Sequence, residues 1–297
     1  MASLRDAVLE ERESPETTTR TNTHVTTEIL GKKLTFAIDP DRLSEAGVVW
    51  DKAVTQCASA IAPMIKACTT KSVIVPHAVN ILELGAGTGA LGIGIAAAIE
   101  NTSVCITDLQ PVVSLMDMNV KNALAQHQIA KNSKVKASAL PWSVTPDVPD
   151  PRFMFSDTDV NLYASGDTEK NKTENNNNKW HFVLACETLY WGGWDVFDED
   201  TRSPQLATMK HACSKNPDCL LVVAFTVRDK SRETNFVLDD VAKYFWLKRM
   251  RECDGPDTPQ DCLFIDGFTE QLDTDARAYI EGSNEGDLLL FQGKLKS

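Results

Sequence analysis

The run Val79-Asn80-Ile81-Leu82-Glu83-Leu84-Gly85-Ala86-Gly87-Thr88-Gly89-Ala90 constrains this chain more than any other stretch, because an apolar segment ends in an acid and then in three alternating glycines. The pattern reads as strand, tight turn, helix. A turn without Cβ atoms lets a ligand approach the main chain, and the N–H groups opening the next helix point into the same space. Ala90 to Ile99, with Gly92 and Gly94 inside it, is apolar enough for a helix buried under a sheet. Ser103 to Thr107 is a second β-like run that ends at Asp108, about twenty residues beyond the glycines, where a carboxylate can accept hydrogen bonds from a ribose hydroxyl pair. Together these features predict a nucleoside-containing cofactor.

Gly85-x-Gly87-x-x-Ala90 also satisfies the dinucleotide fingerprint in its permissive form. Two features favour a different cofactor. Glu83 stands two residues before the first glycine, and the glycines continue as Gly85, Gly87 and Gly89 instead of resolving into a spacing that grips a pyrophosphate. The run Glu-Leu-Gly-Ala-Gly-Thr-Gly resembles the S-adenosylmethionine loop of class I, seven-strand methyltransferases. The resemblance implies that Glu83, Gly85, Ala86, Gly87, Gly89, Asp108 and Leu109 bind S-adenosylmethionine and, after transfer, S-adenosylhomocysteine. Asp108 has a second reading, as N-cap of the helix that begins near Pro111.

The organisation of the chain fits such a fold. Met1 to about Thr23 is polar, charged and threonine-rich, so residues 1–23 are expected to form a flexible tail. Val25, Thr27 and Ile29, then Leu34, Phe36 and Ile38, alternate around Gly31-Lys32-Lys33, which predicts an accessory hairpin within residues 24–45. Val54, Ala58, Ile61 and Ile65 keep helical spacing just before the first core strand. Leu109 to Gln126 reads as a helix with Pro111 at its start, and Lys134 to Leu140 as a third strand. The stretch from 145 to 179 is rich in Asp, Ser, Thr and Asn and predicts a disordered polar insertion. Trp180 to Ala185 is an apolar fourth strand terminated by Cys186-Glu187. A helix from Ser203 to Ser214, a strand over Leu220–Phe225, an amphipathic helix carrying Phe236, Val237, Val241, Tyr244 and Phe245, and a last strand at Leu288–Phe291 follow. Alternation of this kind predicts one doubly wound α/β domain over 24–297: a Rossmann-like sheet, parallel or mixed, covered by helices on both faces and preceded by the hairpin. The class I resemblance implies seven strands in that sheet.

Composition narrows the partners. A formal charge of −12 argues against a nucleic-acid binder, which needs clustered Lys and Arg. The same acidity suits a basic protein substrate, or serves solubility alone. Eight cysteines (57, 68, 105, 186, 213, 219, 253 and 262) are scattered without any Cys-x-x-Cys, so they read as reduced thiols of an intracellular protein and not as a metal site or disulfide frame. The charged N-terminal residues Arg5, Asp6, Glu10, Glu11, Arg12 and Glu13 do not form the apolar core of a signal peptide, and no stretch approaches a membrane span. The expectation is a cytoplasmic protein, with the nucleus as a second compartment, that works as a monomer.

In an open α/β sheet ligands bind beyond the carboxyl ends of the strands, so the residues just after each strand carry the most weight. Leu140-Pro141-Trp142-Ser143 follows the third strand, and the Trp142 indole is either an adenine cover or a core filler. Glu187-Thr188-Leu189-Tyr190-Trp191 follows the fourth, with a carboxylate and a phenol three residues apart. Here the chain resembles the lysine-methylating group of class I enzymes, methyltransferase family 16 or methyltransferase-like 21. That group carries Asp-x-x-Tyr at this place and Trp-Asp before the first core helix, here Trp50-Asp51 after Gly47. The hairpin, the Leu-x-Trp after the third strand and the Arg228–Phe236 region are also similar, so the resemblance runs over about residues 25–293. This chain departs from the group in having Glu187 where Asp is usual.

What the resemblance implies is N-methylation of a lysine in a protein substrate, with Glu187 and Tyr190 as catalytic residues. Trp50 and Cys186 join Trp142 among the residues at the cofactor, with Trp50 also lining the amine channel. Methyl transfer from a sulfonium needs an in-line nucleophile at near-attack distance with its lone pair free. A lysine amine, with a pKa of about 10.4, must first lose its proton, which desolvation and a nearby carboxylate assist. Two other readings share these residues: methylation of a small amine metabolite, and a catalytically inactive cofactor-binding module. An open groove rather than a closing lid would separate the first from the leading one.

Overall fold

The structure, a computed structural model, describes residues 23–70, 78–155, 179–189, 199–250 and 270–296. Residues 1–22 of the expected tail, and 156–178 of the expected insertion, lie outside them.

Two strands, β1 (Thr23–Ile29) and β2 (Lys32–Ile38), form the hairpin in antiparallel register with Ile29 opposite Lys32. Leu30 and Gly31 make the turn at φ 51° and 75°, the left-handed pair whose twist matches that of the flanking strands. Ile29, Leu34 and Phe36 are buried beneath the hairpin. The contacts that fasten it are polar. Asn119 accepts from the Ala37 N–H (2.8 Å) and donates to the carbonyls of Ala37 (3.1 Å) and Thr88 (2.9 Å), and Thr27 donates to the Asp51 carboxylate.

Seven further strands form one mixed sheet. In chain order they are β3 (Val79–Leu84), β4 (Thr102–Asp108), β5 (Lys134–Ala139), β6 (Phe182–Cys186), β7 (Leu220–Thr226), β8 (Phe245–Arg249) and β9 (Leu288–Leu295). Their spatial order is β5-β4-β3-β6-β7-β9-β8, with β9 antiparallel to both of its neighbours. The chain winds outward from β3 through β4 to β5, then returns to lay β6 on the other side of β3. The strand order therefore reverses at β3/β6, and the crevice beyond their carboxyl ends is where such sheets bind ligands.

Alternation along each strand sends side chains to two separate cores. Ile81, Val104, Ile106, Leu184 and Val222 join the core under α1 (Asp51–Thr70), α2 (Ala90–Ala98), α3 (Gln110–Ala125) and the hairpin. Leu82, Leu84, Val183, Ala185, Leu221 and Val223 join the opposite one under α4 (Glu199–Ser214), α5 (Lys230–Asn235, continued through a wide turn at Phe236–Val241 to Tyr244) and α6 (Glu270–Glu281). Helix α2 is apolar on every side because sheet, hairpin and neighbouring helices enclose it.

Three expectations are corrected. Phe245, expected on the amphipathic helix, instead opens β8 and pairs with Leu295; its spacing from Val241 suits a helix, but pairing with β9 wins. Helix α6 is an element that the sequence pattern did not reveal, and its Asp273 accepts from the Leu247 N–H of β8 at 2.8 Å. Residues 145–155, expected to be disordered, are packed: Val148 is buried and the Trp180 indole donates to the Pro149 carbonyl at 3.0 Å. Met154 and Phe155 pack against the same core as Val148. Among the described residues no helix is long and apolar enough to cross a membrane.

Candidate active site

The glycine turn leaves β3 at the point where the strand order reverses. Gly85, Gly87 and Gly89 have φ of 63°, 55° and 79°, in the region where a side chain costs about 1–2 kcal/mol per residue. Space is as restrictive as conformation at the first two. A Cβ on Gly85 would lie 2.8 Å from the Thr188 methyl and 3.2 Å from the Trp142 ring, and one on Gly87 would lie 3.0 Å from the Ala46 carbonyl oxygen. The Ala86 N–H is held by the Thr107 carbonyl (2.9 Å), and Gly89 caps α2.

Asp108, at the end of β4, accepts from the Gly87 N–H with one carboxylate oxygen (2.8 Å) and from the Leu109 N–H with the other (2.7 Å). Burial raises its pKa, and the two N–H bonds pull it back. Its side chain makes no helix cap: Leu109 occupies that position with extended backbone and no side-chain capping bond. Asp108 thus faces the glycine turn. Leu109 stands beside it 46% exposed, an apolar side chain in water at the lip of the crevice. Trp142, near the Gly85 Cα, supplies an aromatic wall.

Glu83 lies elsewhere than expected. Its carboxyl is buried and accepts from the Gly92 N–H of α2 at 2.9 Å. Burial, with the Asp108 charge adding to it, pushes its pKa up to about 8 against the lowering effect of the Gly92 bond. At neutral pH it is largely the uncharged acid, holding the first turn of α2 to β3. Its place is inside the core, where it supports the glycine turn from beneath. Cys186 is also turned into the core. Its thiol hydrogen-bonds that of Cys57 on α1, and this bond together with burial raises its pKa well above the usual value.

The opposite side of the crevice is built from charge. Glu187 follows β6 with φ 55°, a left-handed conformation that a non-glycine residue holds only where its surroundings enforce it. One carboxylate oxygen accepts from the Thr226 N–H (3.0 Å) and hydroxyl (2.7 Å), and the other from the Arg228 guanidinium at 2.7 Å. The Glu187 side chain is 2% exposed, and Arg228 21%. Both Glu187 oxygens are thus bonded at and just beyond the end of β7. Arg228 also lies with its guanidinium carbon 4.8 Å from the centre of the Trp50 ring, whose N–H donates to the Glu45 carbonyl at 3.2 Å.

Of the residues expected at the site, Gly85, Ala86, Gly87, Gly89, Asp108, Leu109 and Trp142 gather on one side, and Trp50 and Glu187 on the other. Tyr190 lies outside the described residues. Sequence reasoning gave no individual role to Thr188, Gln205, Asn119 or Arg228. Thr188 packs its methyl against Gly85 while its hydroxyl and carbonyl accept from the buried Gln205 amide of α4 at 3.1 and 3.2 Å. Asn119 stood on the apolar face of α3, among Leu115, Met116 and Val120, where a polar residue signals a tertiary partner. Arg228 stood two residues past β7, at the strand end where functional residues gather.

Fold and crevice together define a doubly wound domain that presents a glycine turn and the Asp108 carboxylate at its switch point. Comparison with known proteins adds chemistry. Residues 31–160, less than half of the chain, match the family model described as lysine methyltransferase. Over 116 residues the chain is 32% identical to the protein N-lysine methyltransferase METTL21A of Danio rerio, a match covering 39% of this chain and 47% of that protein. The chain thus spans about half the length of the curated relative it matches. Among solved structures it is similar to the YcgJ protein of Bacillus subtilis (9% identity, 80% of this chain and 98% of that one, TM-score 0.39). PKMT2 of Rickettsia typhi in complex with AdoHcy is another (12% identity, 62% and 28%, TM-score 0.32).

Proposed function

We propose that this protein is an S-adenosylmethionine-dependent methyltransferase that N-methylates a lysine side chain of a protein substrate. The observation that carries the reading is the pairing of Asp108 with Gly87: a carboxylate anchored on the glycine turn itself, beside Leu109 and Trp142. These residues fit an adenosine. Asp108 offers acceptors for ribose hydroxyls, while Leu109 and Trp142 give the apolar and aromatic cover that a purine face needs. The left-handed glycines admit a ligand against bare main chain. Bound there, S-adenosylmethionine supplies an electrophilic methyl group on sulfur, which a neutral amine takes in line as the S–C electron pair stays on sulfur.

The chain's own residues then have to orient the amine and exclude water. Trp50 supplies a face against which a lysine stem can pack, and Arg228 neutralises Glu187, so the wall next to the amine carries a closed ion pair and not an open anion. An amine beside such a pair gains little by keeping its proton, which favours the nucleophilic form. The proton leaves to solvent along this reading, and positioning supplies most of the acceleration. The same reading takes the protein as a cytoplasmic or nuclear monomer with neither nucleic-acid nor membrane partners; the charge of −12 and the buried free thiols support it.

The test has two arms. Calorimetry should find micromolar or tighter binding of S-adenosylhomocysteine and none of NAD. Incubation with methyl-tritiated S-adenosylmethionine and a total protein extract should label protein, and prior acetylation of the extract's lysines should abolish the label. Label that survives acetylation, or resides only in the small-molecule fraction, would sink the protein-lysine reading; the latter would move it to a small amine.

A further inference from the structure

We propose, on the lysine-transfer reading above, that Arg228 is a positioning residue of the methyl-transfer site: its guanidinium holds Glu187 in the left-handed turn after β6 and seats the Trp50 indole. One side chain thereby sets two separate parts of the same wall. The Glu187 turn is otherwise unfavourable for a residue with a Cβ, and the contacts that enforce it all come from the end of β7. Arg228 is the charged member of that set, and it is itself anchored there by donating to the Thr226 carbonyl at 3.1 Å. Its own N–H is held at 2.6 Å by Glu233, a buried residue of α5, so its backbone is fixed as well.

The turn borders the cofactor side, which has its own hold in the Asp108 bonds to the Gly87 and Leu109 N–H groups. Immediately after Glu187, Thr188 places its methyl against Gly85 and is tied to Gln205. The guanidinium plane meanwhile lies over Trp50, which is hydrogen-bonded to Glu45 in the segment that also covers Gly87 through Ala46. Arginine suits the task because a planar fork can meet a carboxylate edge and an aromatic face together, whereas an ammonium acts as a point charge. Release of Arg228 should therefore loosen the amine channel and leave the adenosine side, Asp108 with the glycine N–H groups, in place.

The test compares Arg228→Met, Arg228→Lys, Glu187→Gln and the double variant Arg228→Met/Glu187→Gln with the parent. The probes are S-adenosylhomocysteine by calorimetry and single-turnover transfer of tritiated methyl to the lysine acceptors of the protein extract. Affinity for S-adenosylhomocysteine should stay within about threefold throughout, while transfer by Arg228→Met falls roughly tenfold or more and Arg228→Lys recovers only part. The double variant should be no slower than the slower single one, as expected of residues acting as a unit. In an amide-detected spectrum the Trp50 indole N–H resonance, assigned with Trp50→Phe, should shift in Arg228→Met. Parental transfer in Arg228→Met, an unmoved Trp50 resonance, multiplicative losses in the double variant, or loss of S-adenosylhomocysteine binding in step with transfer would each overturn the positioning role alone. A parent that binds S-adenosylhomocysteine but labels no lysine would overturn the lysine-transfer reading and this role with it.

Discussion

The two sides of the crevice solve the same problem, an acid at a strand end, in opposite ways. Near the ends of β3 and β4, Glu83 and Asp108 are answered by main-chain N–H groups; among the described residues neither forms an ion pair, and burial raises both pKa values. Past β6, Glu187 is answered by a guanidinium and a hydroxyl from the next strand. Backbone donors at a glycine turn can be shared with a ligand, because nothing but main chain stands there. A carboxylate enclosed by Arg228 and Thr226 has no such vacancy. The comparison separates a face built to receive a cofactor from one built to hold its shape.

The largest effect that can test this contrast is pH-dependent. Glu83 has a folded pKa near 8 against an ordinary 4.5, so the native state holds its proton over a range where the unfolded chain has lost it. Its contribution to stability is complete below 4.5 and is lost as pH rises to about 8. Subtracting the stability curve of Glu83→Gln from that of the parent should expose a decline on the order of 5 kcal/mol across this window in urea titrations. A flat difference would mean that Glu83 is ionised in the folded protein and answered by more than Gly92. The enclosed acid should behave otherwise. Glu187→Ala strands Arg228 and should lower unfolding free energy by about 2–3 kcal/mol, short of the value for a fully buried pair because Arg228 keeps some water contact.

Asp108→Ala should do the reverse, with a modest loss of stability but a weakening of S-adenosylhomocysteine binding by about 2 kcal/mol, the scale of lost charge-assisted hydrogen bonds. If Asp108→Ala unfolds the protein while ligand affinity persists, the two faces are not divided as described. The smallest effect is expected for Glu187→Asp, which keeps the charge and shortens the side chain by one methylene. Its shorter reach should leave cofactor affinity unchanged within about threefold and slow transfer severalfold, since one carboxylate oxygen must give up Thr226 or Arg228. Parental transfer rates in that variant would show that the length of the side chain does not matter to the turn.

How much of this was legible beforehand depended on distance along the chain. The glycine turn, Asp108, Leu109 and Trp142 could be placed because each lies next to a strand whose pattern is local. Glu83 was visible as an acid before a glycine, yet its direction depended on which side of β3 meets Gly92, a matter of how α2 lies on the sheet. Phe245 fitted the spacing of the preceding helix and still became a strand residue, because β9, some fifty residues later, offers it backbone partners. The packing of residues 145–155 turned on Val148, Met154, Phe155 and the Trp180–Pro149 bond, contacts that composition does not display.

By itself, the sequence determined the period of each strand and helix, the left-handed turn that only glycine tolerates comfortably, and an acid at the end of β4. These are properties of neighbouring residues and of the backbone they share. Only the tertiary structure decided which acids face the crevice and which are enclosed. Burial, the choice of Arg228 or a main-chain N–H as partner, and the resulting charge state arise when strands far apart in the chain are brought side by side. Desolvation and hydrogen bonding act through those contacts and not through the order of residues.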